Sequence, residues 1–394
     1  MLGALRRSRD YRLFWAGSLL ANLGLWIQTI ALGWLIYDLT RKASWLGTVS
    51  FVGNAPTFVL GLLGGAIADR ASRRAIMIVA LLALASSATA LATMAAFGLV
   101  TIWRVIALAV MTGTANAVYT PAMHSSIPSL VQEDDLLEAI SLNSVQFNLA
   151  RAVGPALAGL LYGGIGPAGC FAINASGFLT LAFIVGRLHL PPRPVVAQPS
   201  LAHALREGMG YVRRHRVIGP AMLLAAVMSL FGFPYIIMMP ALARDVLGLD
   251  ATGLGWLMAA VGAGAVVGGL ALALAGPLGH SPRVVPVGSV LFGLCAVGFA
   301  YVRTPTTMVG LLFALGLLQT ITIASMTTII QASVHDGMRG RVMSMLTVIF
   351  FGFATLGGVI AGTIGDHVGV PRVLAAGGLV TAIAAAFLAR RATG

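Results

Sequence analysis

Charged side chains make up only 9% of this chain, so the places where they gather carry information. The densest gathering is Asp69-Arg70 with Arg73 and Arg74, one acid and three arginines between two long apolar runs. An acid among guanidinium groups can form ion pairs and cap a helix terminus, where a carboxylate gains about 0.3–1 kcal/mol. A second feature is Arg151, set deep in an apolar run on one helical stripe with Ser141, Ser144 and Asn148. It stands about 16 Å along a helix from Ile140, near the centre of a bilayer. A charge there costs at least ~2.5 kcal/mol, so it faces a cavity or a partner. The stripe reads as a wet wall; the competing readings are a structural lock between helices and snorkelling toward the surface. Neither feature is catalytic. No G-x-x-x-x-G-K-[ST] phosphate loop, metal-ligand cluster or nucleophile constellation is present, so neither an enzyme nor a cofactor is expected.

Other polar and aromatic residues fall into stripes that suit a central cavity. They are Asn22, Trp26 and Thr29; Thr112, Asn116 and Tyr119; Phe233 and Tyr235; and Gln319, Thr322 and Ser325. An apolar pocket with a few polar groups fits an amphipathic organic substrate. For each residue alone, helix–helix hydrogen bonding or core packing competes with substrate contact.

The elements that must carry these residues are membrane helices. The chain is 58% hydrophobic with a mean hydropathy of +0.92, whereas soluble domains average about 25% charged residues. Apolar runs of about 20 residues cross a bilayer as helices. Twelve spans are expected, at 12–37, 45–68, 74–97, 101–122, 138–166, 168–188, 215–243, 253–275, 282–303, 305–330, 338–367 and 369–390. The fold class is therefore an all-α polytopic membrane protein of two six-helix bundles, at 1–188 and 215–394. A linker at 189–214 joins them, opening with Pro191-Pro192-Arg193-Pro194 and continuing as a basic amphipathic segment. A shift of 203 residues places Gly113 on Gly316, Ser141 on Ser344, Gly154 on Gly357 and Gly159 on Gly362, which suggests a repeat.

Eighteen of the 25 basic residues fall on the side of the termini and six on the other, with Arg151 inside a span. That places both termini in the cytoplasm. The net charge of +13 is thus a matter of topology; the basic residues are scattered among loops and form no nucleic-acid stripe. Cys170 and Cys295 lie within apolar runs, so no disulfide framework is implied, and no cleavable signal peptide is expected.

Several motifs together resemble the major facilitator superfamily over nearly the whole chain. They are Gly65 to Arg74, Thr120-Pro121-Ala122 followed by Ile127-Pro128, Asn148 to Gly159, and Arg339-Gly340-Arg341-Val342. Within it, the likeness is to the bacterial enterobactin-exporter and drug-efflux branch. The resemblance implies a cytoplasmic gate at Gly65, Asp69, Arg70, Arg73 and Arg74, in which Asp69 latches onto the N-terminus of the eleventh helix. It implies an antiporter-like fifth helix at Gly154, Pro155 and Gly159, although Ala150 stands where that pattern has its leading glycine. The family's fourth-helix arginine is absent near Ala109.

The function expected is export of an amphipathic, drug- or siderophore-like compound by alternating access, from a monomer in a bacterial inner membrane. The lipid bilayer is the surrounding partner and nucleic acid is not one. Proton coupling is implied by resemblance alone, since no acid or histidine lies mid-span. A proton-independent lipid or metabolite facilitator is the alternative, and a non-transporting receptor on the same scaffold a further one.

Overall fold

Long apolar runs bounded by cap residues dictate the elements. The computed structural model describes residues 3–63, 72–188, 201–276, 281 and 283–393, and among them every regular element is helical. In order these are α1 (Gly3–Arg7), α2 (Arg9–Thr40), α3 (Ala43–Leu63), α4 (Arg73–Ala96), α5 (Ile102–Ser126) and α6 (Leu136–Arg187). Then come α7 (Leu201–Arg214), α8 (Ile218–Val246), α9 (Ala251–Ala275), α10 (Val284–Tyr301), α11 (Pro305–Ser333), α12 (Arg339–Val368) and α13 (Val370–Thr393). Ten helices among the described residues are long and apolar enough to cross a membrane.

The helix ends follow local chemistry. Ser72 caps α4 by accepting from Ala75 N at 3.2 Å, and Asp250 caps α9 by accepting from Gly253 N at 2.8 Å. Within the 52-residue α6, Gly166 adopts φ 66° and ψ −177°, which divides the helix into two arms. Glycine alone takes that conformation without strain, and Pro167 starts the second arm, where its missing N–H costs nothing. The sequence places a break at the same point.

The chain forms two compact units: Met1–Leu35 with Val52–Gln198, and Ile36–Phe51 with Pro199–Gly394. In the first, α4 packs along both α5 and α6 around Tyr11, Phe14, Met77, Leu81, Leu84 and Leu181. In the second, α9 packs on α11 and α10 on α11 and α13, with Phe292, Phe299, Leu312 and Leu315 buried. Apolar side chains gain little from leaving lipid for protein, so small residues that allow close backbone approach must hold such helices together. A Cβ at Gly113 would overlap the carbonyl oxygen of Gly53, and one at Gly316 that of Val261.

Two helices widen locally. Met228–Gly232 in α8 and Ile349–Phe353 in α12 are π-helical turns that lie against each other in the second unit. Such turns shift the side-chain register and often mark functional positions.

Candidate functional site

The polar stripe of α6 is held by a parallel seam with α2. Tyr11 donates its hydroxyl to Ala139 O at 2.7 Å, and Trp15 Nε1 donates to Leu142 O at 3.0 Å. Further along, a Cβ at Gly154 would press on Trp26 Cβ, so the glycine admits the indole. Trp26 also meets the edge of Phe147 at a centroid distance of 6.3 Å. With this rotation fixed, Ser141, Ser144 and Asn148 are exposed, each bonded back to its own helix one turn earlier. Arg151 is half-buried and has no hydrogen-bond or ion-pair partner among the described residues. Asn22, Asn116 and Tyr119 are half-buried, and Thr29 is exposed with its hydroxyl bonded to Leu25 O at 2.7 Å. Thr112 shares a 2.9 Å hydrogen bond with Ser87, tying α5 to α4. Pro155 and Gly159 are buried beside Gly154.

The opposite face of α6 holds a residue the sequence stripes left out. Gln146 is 0% exposed, and neither its Nε2 nor its Oε1 has a hydrogen-bond partner among the described residues. Ser18 Oγ and Trp26 Nε1 on α2 are likewise buried without one. By the register of Trp15–Leu142 and Trp26–Gly154, Ser18 and Gln146 lie at the same level of the seam. Ten residues further along α2, about 15 Å by helical rise, Asn174 donates to Gln28 at 2.8 Å in the same unit.

In the second unit the sequence-selected residues meet directly. Tyr235 donates its hydroxyl to Gln319 Oε1 at 2.9 Å, joining α8 to α11. Phe233 is buried, edge-on to Phe292 at 6.0 Å and stacked on Phe350 at 6.4 Å across the π-helical turns. Thr322 is 0% exposed and its hydroxyl has no partner among the described residues. Ser325 is buried nearby on the same face of α11.

A third cluster, also within the second unit, forms where α2 ends and α3 begins. Asp366, at the end of α12, accepts from Ala43 N at 2.6 Å and Ser44 N at 3.2 Å. Those amides belong to the first turn of α3, which has no intrahelical acceptors for them. Asp38 pairs with Arg244 and, at 3.4 Å, with Arg41, while Tyr37 donates to Asp245. Beneath the cap, Gly47 abuts the backbone of Gly358, and Gly362 that of Ala43 and Ser44, too closely for any Cβ.

At the other end of α2, Arg7 pairs with Asp135 at 3.3 Å and Glu138 accepts from Gly3 N at 2.9 Å. Arg73 donates to Ser125 O at 3.1 Å and Arg74 is exposed. Gly65, Asp69 and Arg70 lie outside the described residues.

These groups offer hydrogen bonds, the Arg151 guanidinium and aromatic surface, which is recognition chemistry. Comparison with known proteins agrees. A family model described as "Transmembrane secretion effector" matches residues 3–393. A staphyloferrin A transporter of Staphylococcus aureus is 24% identical over 369 residues, covering 93% of this chain and 92% of its own. An enterobactin exporter of Escherichia coli is 24% identical over 370 residues, covering 92% and 87%. A macrolide efflux protein of Streptococcus pyogenes is 23% identical over 378 residues, covering 94% and 93%. Among solved structures, a bacterial homolog of the human lysosomal transporter Spinster, inward-facing and unoccupied, superposes with a TM-score of 0.79 at 15% identity. It covers 98% of both chains and shows a shared fold. This chain, a multi-pass membrane protein, belongs to the transmembrane secretion effector family of major facilitator superfamily transporters.

Proposed function

We propose that this protein exports an amphipathic organic compound of the siderophore or macrolide kind by alternating access. The observation that carries the reading is near full-length similarity to a staphyloferrin A transporter, a macrolide efflux protein and an enterobactin exporter. Twelve crossings in two six-helix bundles, 1–188 and 215–394, are part of the proposal. The ten apolar helices supply most of them, the two arms of α6 count separately, and α3 adds one more. Equivalent packing supports the repeat: Gly154 receives Trp26 of α2, and Gly357 receives the backbone of Leu230 of α8. Both termini are assigned to the cytoplasm on the arginine bias.

Arg151 is the residue we assign first to cargo recognition, since it is the unpaired cation on a stripe of exposed hydroxyls and an amide. Asp69 is assigned by resemblance to an inner latch. The Asp366 cap on α3 is assigned to an outer one, because it ties the start of α3 to the end of α12 by two hydrogen bonds that opening would break.

Accumulation of labelled siderophores and macrolides, in cells lacking and overproducing the protein, tests the reading. Lower accumulation on overproduction is expected for at least one compound, and an unchanged level for every compound would overturn it. A second reading is proton-independent facilitation, favoured by the lack of any acid or histidine mid-span. Efflux that persists with an uncoupler selects it.

A further inference from the structure

An open cavity of about 520 Å³ lies where α7, His215 and the start of α12 meet, lined by Glu207, Gly210, Tyr211, Arg214, His215 and Arg341. Arg341 is paired with Glu207, which leaves that carboxylate engaged. Arg214 is different: it has no hydrogen-bond or ion-pair partner among the described residues. His215 Nδ1 accepts from the backbone of Val217 and Ile218, both at 3.3 Å. With Nδ1 used as an acceptor, Nε2–H is the donor left. The hydroxyl of Tyr211 accepts from His335 N at 3.2 Å and keeps its own proton to donate. A guanidinium, an imidazole N–H and a phenol O–H thus line one cavity, with a second guanidinium beside them. Such a set calls for an oxyanion, and arginine's fork matches phosphate.

The surroundings say what the anion is attached to. α8 begins its apolar run at Ile218, three residues after His215. Met209 and Val217, 44% and 45% exposed, put apolar surface at the same junction, and Arg213 and Arg216 add exposed positive charge. An amphipathic basic helix at the edge of a membrane segment is suited to anionic lipid. We propose that this cavity binds the phosphate headgroup of an anionic phospholipid, whose acyl chains lie against Met209 and Val217. The site is separate from cargo recognition, and its test does not depend on transport.

The test measures thermal midpoints of the purified full-length protein in neutral detergent, titrated with phosphatidylglycerol, phosphatidylcholine or inorganic phosphate. A saturable rise with phosphatidylglycerol alone is expected. Arg214→Gln should remove more than half of that rise. Arg213→Gln, which changes a neighbouring charge that does not line the cavity, should keep it. Gly210→Phe provides an independent check, because a Cβ at Gly210 meets nothing within 4 Å and a ring there fills the cavity without disturbing the fold. It too should abolish the rise, and it decides the matter should Arg214→Gln not fold. An equal response to phosphatidylcholine overturns the proposal, as does an equal response to phosphate alone. So does equal loss in the Arg213 and Arg214 variants, or a full response in Gly210→Phe.

Discussion

The Asp366 cap gives a perturbation whose size can be worked out. Its carboxylate serves two amides of the first turn of α3, Ala43 N at 2.6 Å and Ser44 N at 3.2 Å. A charge at a helix N-terminus contributes about 0.3–1 kcal/mol when exposed and up to ~2 when partly buried. Asp366 is exposed, so solvent screening keeps the figure near the lower range. Asp366→Asn retains one acceptor and loses the charge and the second bond, which should weaken the hold by about 1 kcal/mol, a factor of ~5 in the opening equilibrium. Hydrogen exchange of the full-length protein reads this directly, since the two amides are themselves the bonded groups. Exchange at Ala43 and Ser44 should quicken ~5-fold, by the same conversion, while amides in α5 stay unchanged. Asp250→Asn is the control: Asp250 caps its own helix through Gly253 N and should quicken exchange there only. Unchanged protection at Ala43 and Ser44 in Asp366→Asn would refute the reasoning, as would an equal effect there from Asp250→Asn.

Four further outcomes are expected. Gly316→Ala forces a methyl onto the carbonyl of Val261 and should lower the unfolding midpoint, at a cost of about 1–3 kcal/mol. Tyr235→Phe removes the 2.9 Å bond to Gln319 and should cost about 0.5–1.5 kcal/mol in the same melting assay. Gln146→Leu removes a buried amide that has no partner and should raise the midpoint, since an unsatisfied polar group costs about 1–3 kcal/mol. Arg151→Gln should cut efflux at least tenfold while leaving the midpoint unchanged or higher, because no intramolecular pair is broken.

Helix positions were open to reading because lipid leaves few alternatives: an apolar run of about 20 residues in a bilayer is a helix. The break inside the long α6 was equally readable, since Gly166-Pro167 joins a residue free to take positive φ to one that favours a helix's first turn. The facing π-helical turns of α8 and α12 were only partly readable. Met228–Gly232 is followed at once by Phe233-Pro234, whose missing N–H is a local signal, whereas Ile349–Phe353 has no proline beside it; that the two turns meet, with Phe233 stacked on Phe350, is written in no local pattern. The Asp366 cap was half readable. Asp366 is visible as an acid at a span end, but its partners lie 323 and 322 residues away in sequence, a distance that no local pattern bridges.

The site shows the same division more sharply. Spacing alone puts Ser141, Ser144, Asn148 and Arg151 on one side of a helix, and all four are exposed or half-buried. It cannot say which side faces the protein, and that choice decides what the polar residues are for. Gln146 follows Ser144 by two positions, about 200° around the helix, so exposure of one places the other against α2. The register set by Tyr11, Trp15 and Gly154 fixes that rotation, and it brings buried Ser18 to the level of buried Gln146. Hydroxyls on the exposed face satisfy themselves on their own helix, whereas the amide within the seam finds no partner there. A seam that keeps Gln146, Ser18 and Trp26 Nε1 unsatisfied is held at a cost, while glycines elsewhere show packing at its tightest. The α2–α6 seam is therefore a place where a small shift between helices could gain hydrogen bonds, and Arg151 lies between that seam's level at Gln146 and its level at Gly154.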